Sequence, residues 1–127
     1  MSPVHILPAP REGMEVARLA QSDYRVLADA LWHRVLEGPG ETRPELREAV
    51  AQRAAGGPSI AGACDDLARQ IGESACRVTD AQVASVFSEM RSEKATFEIV
   101  IAASVGAGLL RWRQAISALE AVTNATS

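Results

Sequence analysis

The stretch Phe97–Leu110, FEIVIAASVGAGLL, decides the fold of this 127-residue chain. From Ile99 to Leu110 it contains no charged residue, and Ser104 has the only polar side chain. A helix that is apolar on every side is typical of a buried position. The run is also shorter than the roughly 20 apolar residues that a membrane span requires. The stretch therefore predicts a central helix of a soluble protein, buried on every side or shared between subunits.

Gly- and Pro-rich loops separate this helix from a series of shorter helical patterns on its N-terminal side. Apolar residues recur there at helical spacing, and no segment shows the alternation of a strand. Capping boxes are predicted at Thr42–Glu45 and Thr79–Gln82, with Ser59 and Ser92 as further N-caps. The predicted helices cover residues 12–37 (one helix or two), 44–55, 59–76, 80–90 and 93–122.

The composition is that of one globular domain. Hydrophobic residues make up 47% of the chain and charged residues 23%. Five or six helices are expected to form a single all-α domain at residues 11–122. An extended arm with three prolines is expected at residues 1–10 and a frayed tail at residues 123–127.

The charge balance argues against two classes of partner. The net charge is −3 and aromatic residues make up 4%, whereas a nucleic-acid-binding face is usually basic and an anionic membrane surface attracts cations. We therefore expect neither nucleic acid nor membrane as a partner. The first residues lack the basic and apolar regions of a signal peptide, so a cytoplasmic location is expected.

The two cysteines have different surroundings. Cys64 falls on the apolar stripe of a predicted helix and is expected to be a small buried hydrophobe. Cys76 lies at a predicted helix end, beside Arg77 and just before the next helix, and such surroundings favour the reactive thiolate form. On one helix the two thiols would be about 18 Å apart, too far for a disulfide. Cys76 is thus the candidate catalytic residue.

Other polar residues give weaker indications of a site. His33 follows a tryptophan, and Arg111 and Trp112 begin the amphipathic part of the last helix, so these three are candidate binding residues. Packing or solvent exposure explains each of them as well. Neither histidine has a cysteine near it in the sequence, so no metal site is expected. The segment Gly106–Gly108 is mid-helix and predicts close helix packing rather than a phosphate loop.

Residues 77–121 resemble the C-terminal part of the carboxymuconolactone decarboxylase-like, alkylhydroperoxidase D-like family. The matching features are a short capped helix, VTDAQV, a polar turn, RSEKA, and a long helix that contains FEIVIAASVGAGL. The resemblance implies an alkylhydroperoxidase D-like helical bundle. It also implies an obligate homo-oligomer of intertwined helices, commonly a trimer or hexamer, in which a helix apolar on all sides would be buried.

The resemblance also bears on catalysis. Active family members carry Cys-x-x-Cys-x-x-x-His before the polar turn, and counting back places this motif at residues 76–83 of this chain. Only Cys76 matches, because Thr79 and Val83 stand in the places of the second cysteine and the histidine. The resemblance therefore implies a member that lacks the redox dithiol.

The predicted function is that of a non-catalytic, oligomeric binding or scaffold protein without a cofactor. Its ligand would be a small apolar molecule or a partner enzyme. Two enzymatic alternatives stay open: a thiol-dependent peroxidase that uses Cys76, and a decarboxylase-type lyase acting on a small acid, for which His33 and Arg111 are the pointers.

Overall fold

The computed structural model describes residues 23–125, and these residues form helices joined by short loops. Helix α1 covers residues 23–32 of the described part and ends in a π-helical segment, His33–Glu37. The other helices are α2 (Pro44–Ala54), α3 (Ala63–Ser74), α4 (Asp80–Met90) and α5 (Glu93–Ala125), with a 3₁₀ turn, Ala75–Arg77, after α3. The all-α prediction is confirmed over this range, which contains no strand. The predicted arm at residues 1–10 lies outside it.

Helix α5 is the axis of the structure. It has 33 residues and is therefore about 50 Å long, whereas α2, α3 and α4 have 11 or 12 residues and span about 17 Å. These three short helices pack against the N-terminal half of α5, where its last buried residue is Leu109. The C-terminal half runs on beside α1 and ends at Ala125, beyond the predicted end at Val122.

The core lies where α2, α3 and α5 meet. Most of its side chains are small, which allows the helix backbones to approach closely. Leu36 from the end of α1 and Val86 from α4 are buried at its edges. The remaining buried members of this core are Val50, Ala51, Ala54, Cys64, Leu67, Ala68, Ile71, Ile99, Ala102, Ala103 and Ala107.

Two glycines make the close approach possible. A Cβ atom added at Gly106 would collide with the backbone carbonyl oxygen of Ala51, and one added at Gly72 would collide with that of Ala54. The predicted close-packing role of the Gly106 segment is thus confirmed within one chain, while Gly108 faces open space. A glycine inside a helix ordinarily weakens it, but Gly72 of α3 is a packing residue.

The expectation that α5 is buried on every side is wrong for the single chain. Ile99, Ala102 and Ala103 are buried, whereas Ser104 and Gly108 are exposed, as is 63% of Phe97. The physical reason is that three short helices and α1 cover only part of its circumference.

Helix α5 is longer than its apolar stretch, and with 33 residues it is long enough to cross a membrane. The helix contains an 18-residue window of mean hydropathy 1.3, of which 44% is buried inside the protein. By length and composition it is the one helix of the described residues that could cross a bilayer. This is weak evidence, because the core helix of a water-soluble protein passes the same test. The cytoplasmic location stays a prediction.

The N-caps predicted for α4 and α5 are correct, whereas the one predicted for α3 is not. Thr79 and Gln82 form the predicted capping box of α4, and Ser92 Oγ accepts a hydrogen bond from the amide of Ala95 at the start of α5. Ser59 does not cap α3, which begins at Ala63. The delay has a local cause, because the Asp65 carboxylate accepts the amide proton of Ile60 and holds the preceding segment in a loop.

We expect Gly106→Ala to destabilise the protein by about 2 kcal/mol, because the new methyl group must displace the backbone of α2. Gly108→Ala is the matched control on the same helix. It should be neutral or stabilising by up to about 1 kcal/mol, because alanine has the higher helix propensity and the space is open. Urea denaturation of both variants measures the difference, and equal effects would contradict the packing described.

Candidate functional site

A groove runs between α4 and the first turns of α5. Its volume is about 630 Å³. Two phenylalanines stand in it, with 44% of Phe87 and 63% of Phe97 exposed. Phe87 does not face the core, because Val86 is the buried residue of α4. The lining consists of Asp80, Val83, Ala84, Phe87, Glu93, Thr96, Phe97 and Val100.

The walls of the groove are held by the turn that joins its two helices. Arg91 adopts a left-handed conformation with φ 58°, and its amide donates to the carbonyl oxygen of Phe87. Ser92 follows at once and caps α5, while its hydroxyl donates to the carboxylate of Glu41. The connection is therefore two residues long, which keeps Phe87 and Phe97 on the same side of the molecule.

The charges that line the groove are of one sign. Asp80 and Glu93 each contribute a carboxylate, and no lysine, arginine or histidine is among the lining residues. The rest of the lining is apolar apart from Thr96, whose hydroxyl donates to the Ser92 carbonyl. An apolar floor with an acidic rim favours a ligand that is apolar on one side and carries positive charges beside it.

A second polar centre lies around the Glu98 carboxylate of α5, where this helix meets the loop before α2. Glu98 accepts three hydrogen bonds, from the Glu41 amide at 2.9 Å, the Thr42 amide at 2.8 Å and the Thr42 hydroxyl at 2.6 Å. Burial raises the pKa of Glu98, but these bonds and the charge of Arg47 lower it by more, so the pKa lies below its ordinary value. The predicted capping box at Thr42 is wrong because its hydroxyl is engaged by Glu98 and α2 begins after Arg43 without a side-chain cap.

The guanidinium of Arg47 completes this centre. It is buried, and it donates to the carbonyl oxygens of Val35 at 2.7 Å, Gly38 at 2.6 Å and Thr42 at 3.3 Å. The first of these carbonyls belongs to the π-helical segment, so Arg47 ties the end of α1 to the loop before α2. Its Nε atom is buried without a partner among the described residues. The centre holds the loop against α5 and is structural.

The candidate residues chosen from the sequence do not form one site. Cys76 is exposed in the 3₁₀ turn, with its Sγ 3.4 Å from Ser74 Oγ. His33 is exposed, and its hydrogen bond to Glu37 at 2.7 Å raises its pKa. Arg111 donates to the carbonyl oxygen of Gly72 at 2.6 Å. Trp112 is half-buried and lines a cleft between α1 and α5.

The Cys64 thiol and the two aspartates at the start of α3 have structural surroundings. Burial, and next the charge of Glu89, raises the pKa of the Cys64 thiol to about 11, in keeping with the predicted inert cysteine. Asp65 pairs with Arg53 at 2.8 Å, and Asp66 with Arg69 at 2.7 Å. Among residues 23–125, no group of three or more His, Cys, Asp or Glu side chains is arranged to hold a metal ion.

We expect Glu98→Gln to lower the free energy of unfolding at neutral pH by about 2 kcal/mol, because it removes a charged acceptor of three hydrogen bonds. The folded-state pKa of Glu98 lies below the ordinary value of 4.5. Its stabilising contribution is therefore complete above the unfolded pKa and is lost as the pH falls through the folded pKa. Urea titrations at neutral and acidic pH should show the gap between wild type and variant closing in acid.

The control for this measurement is Glu48→Gln, which changes an exposed carboxylate of α2. It should alter stability by less than about 0.5 kcal/mol at any pH. A gap for Glu98→Gln that does not depend on pH would contradict the role given to the ionised carboxylate.

The resemblance of residues 77–121 to a known family rests on the sequence pattern. Comparison of the chain with family models, curated proteins and solved structures finds no match. The family assignment therefore stays a prediction, and the candidate site is interpreted from its own geometry.

Proposed function

We propose that this protein is a non-catalytic, oligomeric binding or scaffold protein whose α4–α5 groove binds an amphipathic helix of a partner protein. The observation that carries the proposal is the pair of exposed phenylalanines, Phe87 and Phe97, in one apolar groove. Exposed apolar surfaces that are rimmed by polar residues are typical of interaction sites. The proposal includes an alkylhydroperoxidase D-like bundle. The order of a short capped helix, a two-residue turn and a long apolar helix supports that part.

The shape and charge of the groove select its occupant. Its walls are two helices, and an amphipathic helix that lays its apolar face between them is a common mode of recognition. Asp80 and Glu93 at the rim would pair with basic residues that flank the apolar face of the ligand. A second copy of this chain is a poor occupant, because two such grooves face to face would bring acidic rims together.

A designed helical peptide tests this proposal directly. The probe has leucines at helical spacing on one face and lysines beside them, and a second peptide has glutamates in place of the lysines. We expect the lysine peptide to bind more tightly than the glutamate peptide by at least tenfold, because the groove rim is acidic. Fluorescence anisotropy measures the affinities, and NMR shift changes at Phe97 and Val100 locate the bound peptide.

Two variants make the peptide test specific. Phe97→Glu should weaken binding of the lysine peptide at least tenfold. Val122→Glu, at a position equally exposed but far along α5, should leave the affinity unchanged. The proposal is contradicted if the lysine peptide does not bind, or if it binds Phe97→Glu as tightly as it binds wild type. Binding of an apolar dye with no binding of either peptide would show a small-molecule site instead.

The exposed Cys76 thiol supports a second candidate, the thiol-dependent peroxidase. The lyase alternative stays a prediction, because His33 and Arg111 are engaged separately by Glu37 and Gly72. The peroxidase and scaffold functions predict different effects of removing the Cys76 thiol on the rate of peroxide consumption.

We expect a disulfide reagent to modify Cys76 rapidly in the native protein and Cys64 only after unfolding, because Cys64 is buried. Cys76→Ser should abolish the fast reaction, and Cys64→Ala should keep it. Under the proposed scaffold function, peroxide consumption with an external thiol is the same for wild type and Cys76→Ser. A loss of consumption in Cys76→Ser alone would establish the peroxidase in place of the scaffold.

A further inference from the structure

The two carboxylates that line the α4–α5 groove lie at opposite ends of α4. Asp80 is the first residue of this 11-residue helix, and Glu93 follows its last residue, Met90, by three positions. A helix rises by about 1.5 Å per residue, so the two ends of α4 are about 15 Å apart. The acidic rim of the groove therefore consists of two separate charges, one at each end of α4, and the apolar lining residues lie between them.

No basic side chain of the described residues pairs with either carboxylate. Both acidic residues are exposed, and neither belongs to an ion pair among residues 23–125. A basic partner on the same helix would lie three or four positions further along. Those positions are held by uncharged residues: Val83, Ala84, Thr96 and Phe97. Each carboxylate is thus available to a cation of a ligand.

The apolar side chains between the two charges differ in size along the groove. Phe87 lies three residues before the end of α4 and Phe97 four residues after Glu93, so both rings stand at the Glu93 end. Ala84, about one turn before Phe87, is exposed and has the smallest side chain of the lining. The groove therefore has room for a large apolar side chain of a ligand over Ala84, beside the ring of Phe87.

We propose that the α4–α5 groove selects partner helices that carry two basic residues three turns apart, with a large apolar residue one turn inside one of them. Three turns of a helix span about 16 Å, which matches the separation of the two carboxylates, whereas two turns span about 11 Å. Ala84 lies four residues from Asp80, so the apolar residue belongs one turn from the basic residue that pairs with Asp80. This inference rests on the proposed function and adds the spacing that a partner must have.

Two helical peptides of equal composition test the spacing. The first has two lysines eleven positions apart and two leucines between them, each four positions from a lysine, so that a leucine lies over Ala84 in either direction of binding. In the second peptide one lysine is moved by two positions, which places it on the opposite face of the helix. We expect the first peptide to bind wild type about threefold more tightly at low salt, because an exposed ion pair changes an affinity by about twofold to fivefold. Fluorescence anisotropy measures both affinities.

Substitutions in the groove assign the effect to named residues. The double variant Asp80→Asn/Glu93→Gln should bind both peptides equally, because it removes both charges of the rim. Ala84→Leu should weaken binding of the first peptide at least fivefold, because the new side chain occupies the place of the peptide's leucine. Ala118→Leu, at an exposed alanine of α5 outside the groove, is the matched control and should bind the peptide like wild type.

The outcomes separate the spacing from the proposed function. Equal affinities of the two peptides for wild type, a preference that survives in the double variant, or undiminished binding to Ala84→Leu would each overturn the spacing. Peptide binding to wild type in those cases would leave the proposed function intact. If neither peptide binds wild type, the proposed function fails and the spacing with it.

Discussion

The contact of glycine with backbone carbonyl at the centre of the bundle is the constraint on which the other features depend. Gly106 of α5 lies against the carbonyl of Ala51, and Gly72 of α3 lies against that of Ala54. Both carbonyls belong to α2, so this helix is held from two sides at backbone distance. A core built of alanine and glycine at these points leaves little room for larger side chains there, and Ile99 and Leu109 of α5 are buried at other points along the helix.

Local signals in the sequence predicted the helices, and long-range contacts explain what they missed. The Thr79–Gln82 capping box and the Gly–Pro loops are local, so α2, α4 and the start of α5 could be placed from the sequence. Cys64 was placed correctly by its apolar stripe. Thr42 was not, because its partner Glu98 is 56 residues away in the chain. The groove was also missed, because helical spacing shows which residues share a face but not which face a neighbour covers.

The groove at the start of α5 and the far end of this helix differ in their charges. The first turns of α5 contribute Phe97 and Glu93 to a groove with an acidic rim. Its last turns carry Val122 and side chains of both signs of charge. The two ends of α5 therefore present different surfaces to solvent, and the buried residues of the helix lie between Ala95 and Leu109.

The connection between Thr42 and Glu98 also has a consequence for the order in which the chain folds. Helices α2 and α3 are joined by short-range contacts such as the Arg53–Asp65 pair, 12 residues apart. They can meet soon after collapse, because short loops close at low entropic cost. Glu98 and its partner Thr42 are separated by 56 residues in the sequence, and contacts between such distant residues tend to form slowly. We therefore expect α5 to dock after α2 and α3 have met, so that the carbonyl of Ala51, which contacts Gly106, is covered last.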